Sequence, residues 1–360
     1  MAGPEPTSTV PATPRRLLLV SIPRTASNLL LKILNIPKQP NLLTSQKGGY
    51  FFYPAFSRVA ASDKNYLNKT SIEEWTDDDK LEIKNSFQEC FNTLEEFSTQ
   101  ADNANKMMFA KEHAYWLYPP AALLKAQTGI HDEEFFQAFR LDMPEKYGPQ
   151  TYSRFNETLL SDEYLRSWQM AFIIRHPALA WPSLYRAMVK VAQTGMLDED
   201  GIKGASFSNM DMHWTRLMYD WCMEQPDTPV QPPVIDAHDL IHNPEVVLKL
   251  CERTGLDKSV VQFEWAGKDE VKKSAQWDNG DPNASAQEFE MNVGAAKIML
   301  ATLENSSGIV KDKAPEVIDI DAEAIKWKEE FGEETGGLLE VYVRKSMPDY
   351  EYLKARRITV

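Results

Sequence analysis

With 43% hydrophobic and 26% charged residues among 360, the chain has the composition of a globular protein, long enough for one large α/β domain or two modest ones. Its net charge of −14 argues against nucleic acid or an anionic membrane as the main partner, because both select a basic surface. Three widely separated cysteines, Cys90, Cys222 and Cys251, exclude a CxxC or zinc pattern and read as free thiols in a reducing compartment.

Residues 1–15 are rich in Pro, Ser and Thr and lack the apolar core of a signal peptide. A disordered tail is expected there, followed by a single domain over residues 16–350. No run approaches the ~20 apolar residues that span a bilayer, so the expected compartment is the cytoplasm. Four apolar runs read as strands: Leu17–Ile22, Lys106–Ala110, Gln169–Ile174 and a weaker Pro233–Asp236. Each precedes polar residues and a helical pattern. That alternation predicts an α/β fold, three-layer α/β/α around a central parallel sheet buried on both faces.

The helices carry their own start and stop signals. Ser27 or Asn28 is a candidate cap after the first strand. Ser71-Ile-Glu-Glu74 has capping-box spacing and opens a charged helix from about Ile72 to Thr99, a lid or flank within residues 60–105. Pro119-Pro120 and Pro177 begin two further helices, the second running from Ala178 to about Gln193, and Met210–Met223 is amphipathic. Asn243-Pro244 starts another helix and Gly255 ends it. Two helices, about Ala286–Leu303 and Ala322–Lys345, close the chain. The glycine-rich, polar Gly195–Asn209 reads as a mobile loop over the site, and Asn279–Asn283 as a plain loop.

Ligands of open parallel sheets gather at the carboxyl ends of the strands. After the first strand come Pro23, Arg24, Thr25, Ala26, Ser27 and Asn28; after the second, Lys111, Glu112 and His113; after the third, Arg175, His176 and Pro177, with Ser183 eight residues past Arg175. Each loop supplies a cation, which in so acidic a chain points to an anion pocket. A helix N-terminus offers free N–H groups and partial positive charge. Thr25, Ser27 and Asn28 add polar donors, and Arg24 adds a fork suited to phosphate or sulfate oxygens. Simpler roles exist for each: Ser27 as a cap, His113 as a core histidine, His176 as a structural residue. The chain has no GxxxxGK[ST] loop, which disfavours a kinase or Mg-dependent triphosphatase.

Together these stretches resemble the sulfotransferases that use 3′-phosphoadenosine-5′-phosphosulfate, in particular divergent fungal and bacterial members. The family's first loop, Pro-Lys/Arg-[Ser/Thr]-Gly-[Ser/Thr]-x-[Leu/Trp], is matched by Pro23-Arg24-Thr25-Ala26-Ser27-Asn28-Leu29. Its Arg-x-Pro followed by Ser and Tyr is matched by Arg175-His176-Pro177, Ser183 and Tyr185, and its Lys-x-His by Lys111-Glu112-His113. The stretch Val234–Leu256 also looks like these members. The resemblance implies a P-loop-like fold with helical insertions and a donor whose product is 3′,5′-adenosine bisphosphate. It implies cofactor contacts from Arg24, Thr25, Ala26, Ser27, Asn28, Arg175 and Ser183. It also implies His113 as general base, Arg24 at the leaving phosphate and Lys111 on the transferred group, with no metal. Ala26 departs from the family's glycine and Arg24 from its frequent lysine.

The acceptor implied is a small molecule bearing a hydroxyl or amine. The aromatic runs Tyr50–Tyr53 and Tyr115–Tyr118 are candidates to line its pocket, or are ordinary core. Lys272-Lys273 could reach the 3′-phosphate, or be a solvated pair. Two alternatives stand beside transfer: sulfonation that activates a hydroxyl for elimination or cyclisation, and a nucleotide-binding protein without activity.

Overall fold

A computed structural model describes residues 16–45, 49–61, 75–193, 195, 199–225, 231–265, 297–301, 303 and 306–360. Five parallel strands form one sheet in the order β2-β3-β1-β4-β5. They are β1 (Arg16–Ser21), β2 (Leu42–Leu43), β3 (Met107–His113), β4 (Gln169–Ile174) and β5 (Val234–Asp236). Between β1 and β3 the chain forms α1 (Ser27–Ile33), α2 (Tyr53–Ala61) and α3 (Asp77–Asn103). After β3 come α4 (Pro120–Thr128), α5 (Glu133–Ala138) and α6 (Asp162–Arg166), and after β4 come α7 (Pro177–Ala192), α8 (Glu199–Phe207) and α9 (His213–Glu224). β5 leads into α10 (Ala237–His242) and α11 (Val246–Thr254), and α12 (Ile320–Phe331) and α13 (Glu333–Lys354) follow.

The strand residues divide by parity, because successive side chains of a strand point to opposite faces. Leu17, Leu19, Met107, Phe109, Ala171 and Ile173 enter one core, closed by α1, α10 and α11. Leu18, Val20, Met108, Ala110, Phe172 and Ile174 enter the other, closed by α2, α3, α7, α9 and α13. This is the expected three-layer α/β/α architecture with a parallel sheet. Burying a side chain such as Phe172 contributes about 1.5–3 kcal/mol relative to exposure, so continuous apolar strands are the residues that hold the layers together.

Several boundaries differ from expectation for identifiable reasons. β3 runs on through Lys111, Glu112 and His113, so these residues lie in the strand rather than after it. The polar residues belong to a strand because this end of the sheet faces the site. β2, two residues long, is too short to leave a periodic signal. α1 has Ala26 as its N-cap with no side-chain cap, so neither Ser27 nor Asn28 caps it. α3 begins at Asp77, where Thr76 and Asp79 form the capping box; the box read at residues 71–74 lies outside the described residues. Gly195–Asn209 is not one loop, since α8 occupies Glu199–Phe207.

α11 starts after Asn243 and Pro244, which form a preceding turn, and ends as expected at Gly255 in the left-handed region (φ 75°). The last helix is two, broken at Gly332 (φ 84°). There α12 and α13 approach so closely that a Cβ on Gly336 would lie 2.5 Å from the Lys328 backbone nitrogen. The helix expected from Ala286, the Asn279–Asn283 loop, Lys272-Lys273 and residues 1–15 lie wholly or mostly outside the described residues. All three cysteines are buried. Among the described residues no helix is long and apolar enough to cross a membrane.

Candidate active site

The loop from β1 to α1 is a tight turn built on its own backbone. Ile22 O accepts from both the Thr25 N–H (3.3 Å) and the Thr25 hydroxyl (2.7 Å). Thr25 is fully buried, and its hydroxyl is spent inside the turn. Arg24 (φ 69°) and Ala26 (φ 64°) both adopt left-handed backbone, which costs a residue with a Cβ roughly 1–2 kcal/mol. Ala26 therefore holds the conformation that a glycine takes freely. Ser27 is buried at the first turn of α1.

Parity within β3 sorts the next three residues. Lys111 and His113 share the face that carries Phe109, and Glu112 points the other way. Glu112 Oε1 accepts from the N–H groups of Phe51 (2.6 Å) and Phe52 (3.1 Å), just ahead of α2. Burial pushes the Glu112 carboxyl up to about 8, against the pull of those two N–H groups and of Lys111. Glu112 is thus a buried anchor for α2, turned away from Lys111 and His113.

Lys111 is completely buried. Its ammonium donates to Asn28 Oδ1 and lies 4.1 Å from the centre of the Tyr50 ring. Burial, opposed by Glu112, brings its pKa down to about 7. His113 is held at both nitrogens. Nδ1 is 2.9 Å from Ser21 Oγ, and Nε2 is 3.0 Å from the Tyr50 hydroxyl. The Ser21 hydroxyl spends its hydrogen on Glu112 O (3.1 Å), so it accepts from Nδ1–H. Nε2 is then the unprotonated nitrogen and accepts from Tyr50. Burial first, then the Lys111 charge, hold the imidazole well below its ordinary pKa, so the ring is neutral at neutral pH. Trp116 packs edge-on against it at 4.4 Å between ring centres, and Tyr50, Tyr53 and Phe56 surround Trp116.

A second cationic group lies across β1. Arg24 Nε donates to Ser183 Oγ (3.1 Å), and its Nη1 donates to Met299 O (2.6 Å). Arg175 Nη1 donates to Arg24 O (2.9 Å). Burial, then the neighbouring Arg24, lower Arg175 to about 10, opposed by Asp236 at the end of β5. Asp236 accepts from the Tyr350 hydroxyl (2.7 Å), which ties α13 to this edge. His176 caps α7, accepting from the Ala178 N–H (3.2 Å), and burial lowers it to about 4; its role is structural.

The structure therefore brings Arg24, Arg175 and Ser183 together, and separately Asn28, Lys111 and His113. Arg24 reaches toward Ser183 rather than toward Lys111. Among the described residues neither Arg24 nor Lys111 forms an ion pair; their partners are a hydroxyl, a carbonyl and an amide. Buried cations whose hydrogen-bond partners are neutral are costly unless an anion joins them, and a ligand with two anionic groups fits this arrangement. Among the described residues no group of three or more His, Cys, Asp or Glu side chains could hold a metal ion. Sequence reasoning missed Ser21, the pairing of Tyr50 with His113, and Asp236. A serine closing an otherwise apolar strand was the available signal for the first; the others come from distant segments.

The carboxyl edge of the parallel sheet thus carries buried cations and a neutral histidine. No family model matches the chain. It is 35% identical over 362 residues to Sulfotransferase ppzF of Metarhizium rileyi (strain RCEF 4871), covering 97% of each chain. Sulfotransferase ppzF of Metarhizium majus (strain ARSEF 297) is 35% identical over 361 residues, covering 96% of this chain and 97% of that protein. The sulfotransferase domain of the Synechococcus PCC 7002 olefin synthase aligns over 89% of this chain and 96% of its own, at 13% identity and a TM-score of 0.35. At the identity and coverage of the two Metarhizium relatives, the chain belongs to the sulfotransferase family.

Proposed function

We propose that the protein transfers a sulfuryl group from 3′-phosphoadenosine-5′-phosphosulfate to a hydroxyl, or an amine, of a small-molecule acceptor, with His113 as general base. One observation carries this reading: His113 Nε2 is fixed as a proton acceptor, already facing a hydroxyl, beside the Lys111 ammonium. The donor supplies an activated sulfuryl group on a phosphate leaving group, and positioning and charge do most of the work in such transfers. Arg175, Ser183 and Arg24 would hold the 3′-phosphate side. Lys111 and Asn28 would hold the transferred group, with Ser27 and the backbone of the Thr25–Ala26 turn beside them. Arg24, through its left-handed backbone, links the two groups. His113 takes the proton that the acceptor hydroxyl loses, for which a neutral imidazole is suited. The aromatic side chains around Trp116 would line the acceptor pocket.

The test is calorimetric titration with 3′,5′-adenosine bisphosphate and, separately, with Mg-ATP, on wild type and Arg175→Ala. The expected result is tight bisphosphate binding, weakened on the order of a hundredfold by Arg175→Ala as a charged hydrogen-bond partner is lost, with little ATP binding. Equal affinity for ATP and an indifferent Arg175→Ala would overturn the donor assignment. Products of an acceptor screen then separate a stable sulfated product from free sulfate with a dehydrated or cyclised one.

A further inference from the structure

We infer that Tyr50 occupies the acceptor-oxygen position and keeps water from His113 until an acceptor displaces it, making Tyr50 a residue that selects acceptor over water. The inference rests on the donor and base assigned above. Tyr50 Oη stands 3.0 Å from His113 Nε2, the nitrogen that must receive the acceptor's proton. His113 is buried at 6% exposure, and the ring of Tyr50, a partly buried residue, packs against the imidazole at 5.1 Å between ring centres, so the phenol occupies the space in front of Nε2. The ring lies under the Lys111 ammonium and against Trp116, 5.1 Å between centres.

The backbone before Tyr50 is fixed in register with β3. Gly49 has φ 89°, its carbonyl accepts from Lys111 N–H (2.9 Å), and a Cβ on it would lie 3.1 Å from that nitrogen. Tyr50 therefore uncovers His113 by turning its side chain, not by moving its peptide. While the phenol stays, the base holds a hydrogen bond to a group that is part of the protein, in the position a water would otherwise take.

Tyr50→Phe keeps the ring and removes the oxygen. The space left is about one water, with His113 Nε2 and the Ser27 hydroxyl, which both partner the Tyr50 hydroxyl, as its polar partners. That water now sits where the base can use it. Its oxygen bonds to sulfur, the bond from sulfur to the bridging phosphate oxygen breaks, and its proton passes to Nε2, giving sulfate and 3′,5′-adenosine bisphosphate.

The experiment follows cleavage of 3′-phosphoadenosine-5′-phosphosulfate with water as the acceptor, in wild type, Tyr50→Phe, His113→Asn and the double variant. Tyr50→Phe should raise cleavage roughly tenfold or more, the increase should vanish in the double variant as expected of a general base, and bisphosphate affinity should stay within about threefold. A second readout needs no donor: diethyl pyrocarbonate labelling of His113, followed by mass spectrometry, should rise about fivefold or more in Tyr50→Ala as Nε2 is uncovered. Unchanged cleavage and labelling with intact bisphosphate binding would overturn the inference alone. Slower cleavage in Tyr50→Phe would also overturn it, and would make the phenol a proton relay. A wild type that binds no bisphosphate and shows no His113-dependent cleavage would overturn the donor and base assignments as well.

Discussion

Ser21 and His113 stand opposite each other in the parallel register of β1 and β3, with 2.9 Å between Ser21 Oγ and His113 Nδ1. The serine hydrogen goes to Glu112 O, and this fixes which imidazole nitrogen carries the proton. The orientation of the base thus depends on a residue that never touches the acceptor. Ser21→Ala removes that partner and leaves a buried N–H unsatisfied, which costs about 1–3 kcal/mol. We expect kcat to fall about tenfold with bisphosphate affinity unchanged, because a misplaced proton affects the transfer step and not donor binding. Steady-state kinetics beside calorimetry checks this; equal losses in both would indicate general damage to the fold.

Glu112 adjoins both proposed catalytic residues in sequence, yet it serves α2. Its Oε1 takes two backbone N–H groups, and a glutamine oxygen can accept both. Glu112→Gln should therefore keep kcat within about threefold, whereas His113→Asn should lose on the order of a hundredfold or more. A dead Glu112→Gln that still folds and binds bisphosphate would move the base from His113 to Glu112.

Lys111 gives donor binding a pH dependence. Its pKa in the free protein is lowered to about 7 by burial, so as pH rises through that value the ammonium loses its proton. A bound anion favours the charged form and raises the pKa again. Binding should take up a proton above neutrality, and bisphosphate Kd should rise by up to about tenfold per pH unit. Titrations in buffers of different ionisation enthalpy measure the uptake directly. Lys111→Ala should bind more weakly and show no such slope. The base contributes no matching loss at neutral pH, since His113 titrates well below its ordinary range.

Ala26 carries strain that glycine would not. At φ 64° the Cβ costs roughly 1–2 kcal/mol, partly offset by the smaller entropy of the unfolded alanine chain. Ala26→Gly should stabilise the fold by about 0.5–1 kcal/mol, read as a rise in Tm of about 1 °C in a chain this long. A fall in Tm would mean that packing of the Ala26 methyl, and not backbone conformation, decides this position.

The sequence determined the strands that form continuous apolar runs, because burial on both faces demands them, and it placed a cation just after each of three such runs. The resemblance to the family's loop marked Ala26 as an exception, since that loop carries glycine there, and the structure places Ala26 in left-handed backbone. Those features depend on residues a few positions apart. Only the tertiary structure decided what depends on distant segments. Tyr50 meets His113 across 63 residues, Ser21 meets it across 92, and Arg24 meets Ser183 across 159. The same holds where propensity was misleading: β3 continues through three ionisable residues because its neighbours in the sheet supply ladder hydrogen bonds whatever the side chains are. Glu112 faces α2 and Lys111 faces Asn28 because strand parity, set by the register with β1, sends adjacent residues into different layers of the protein.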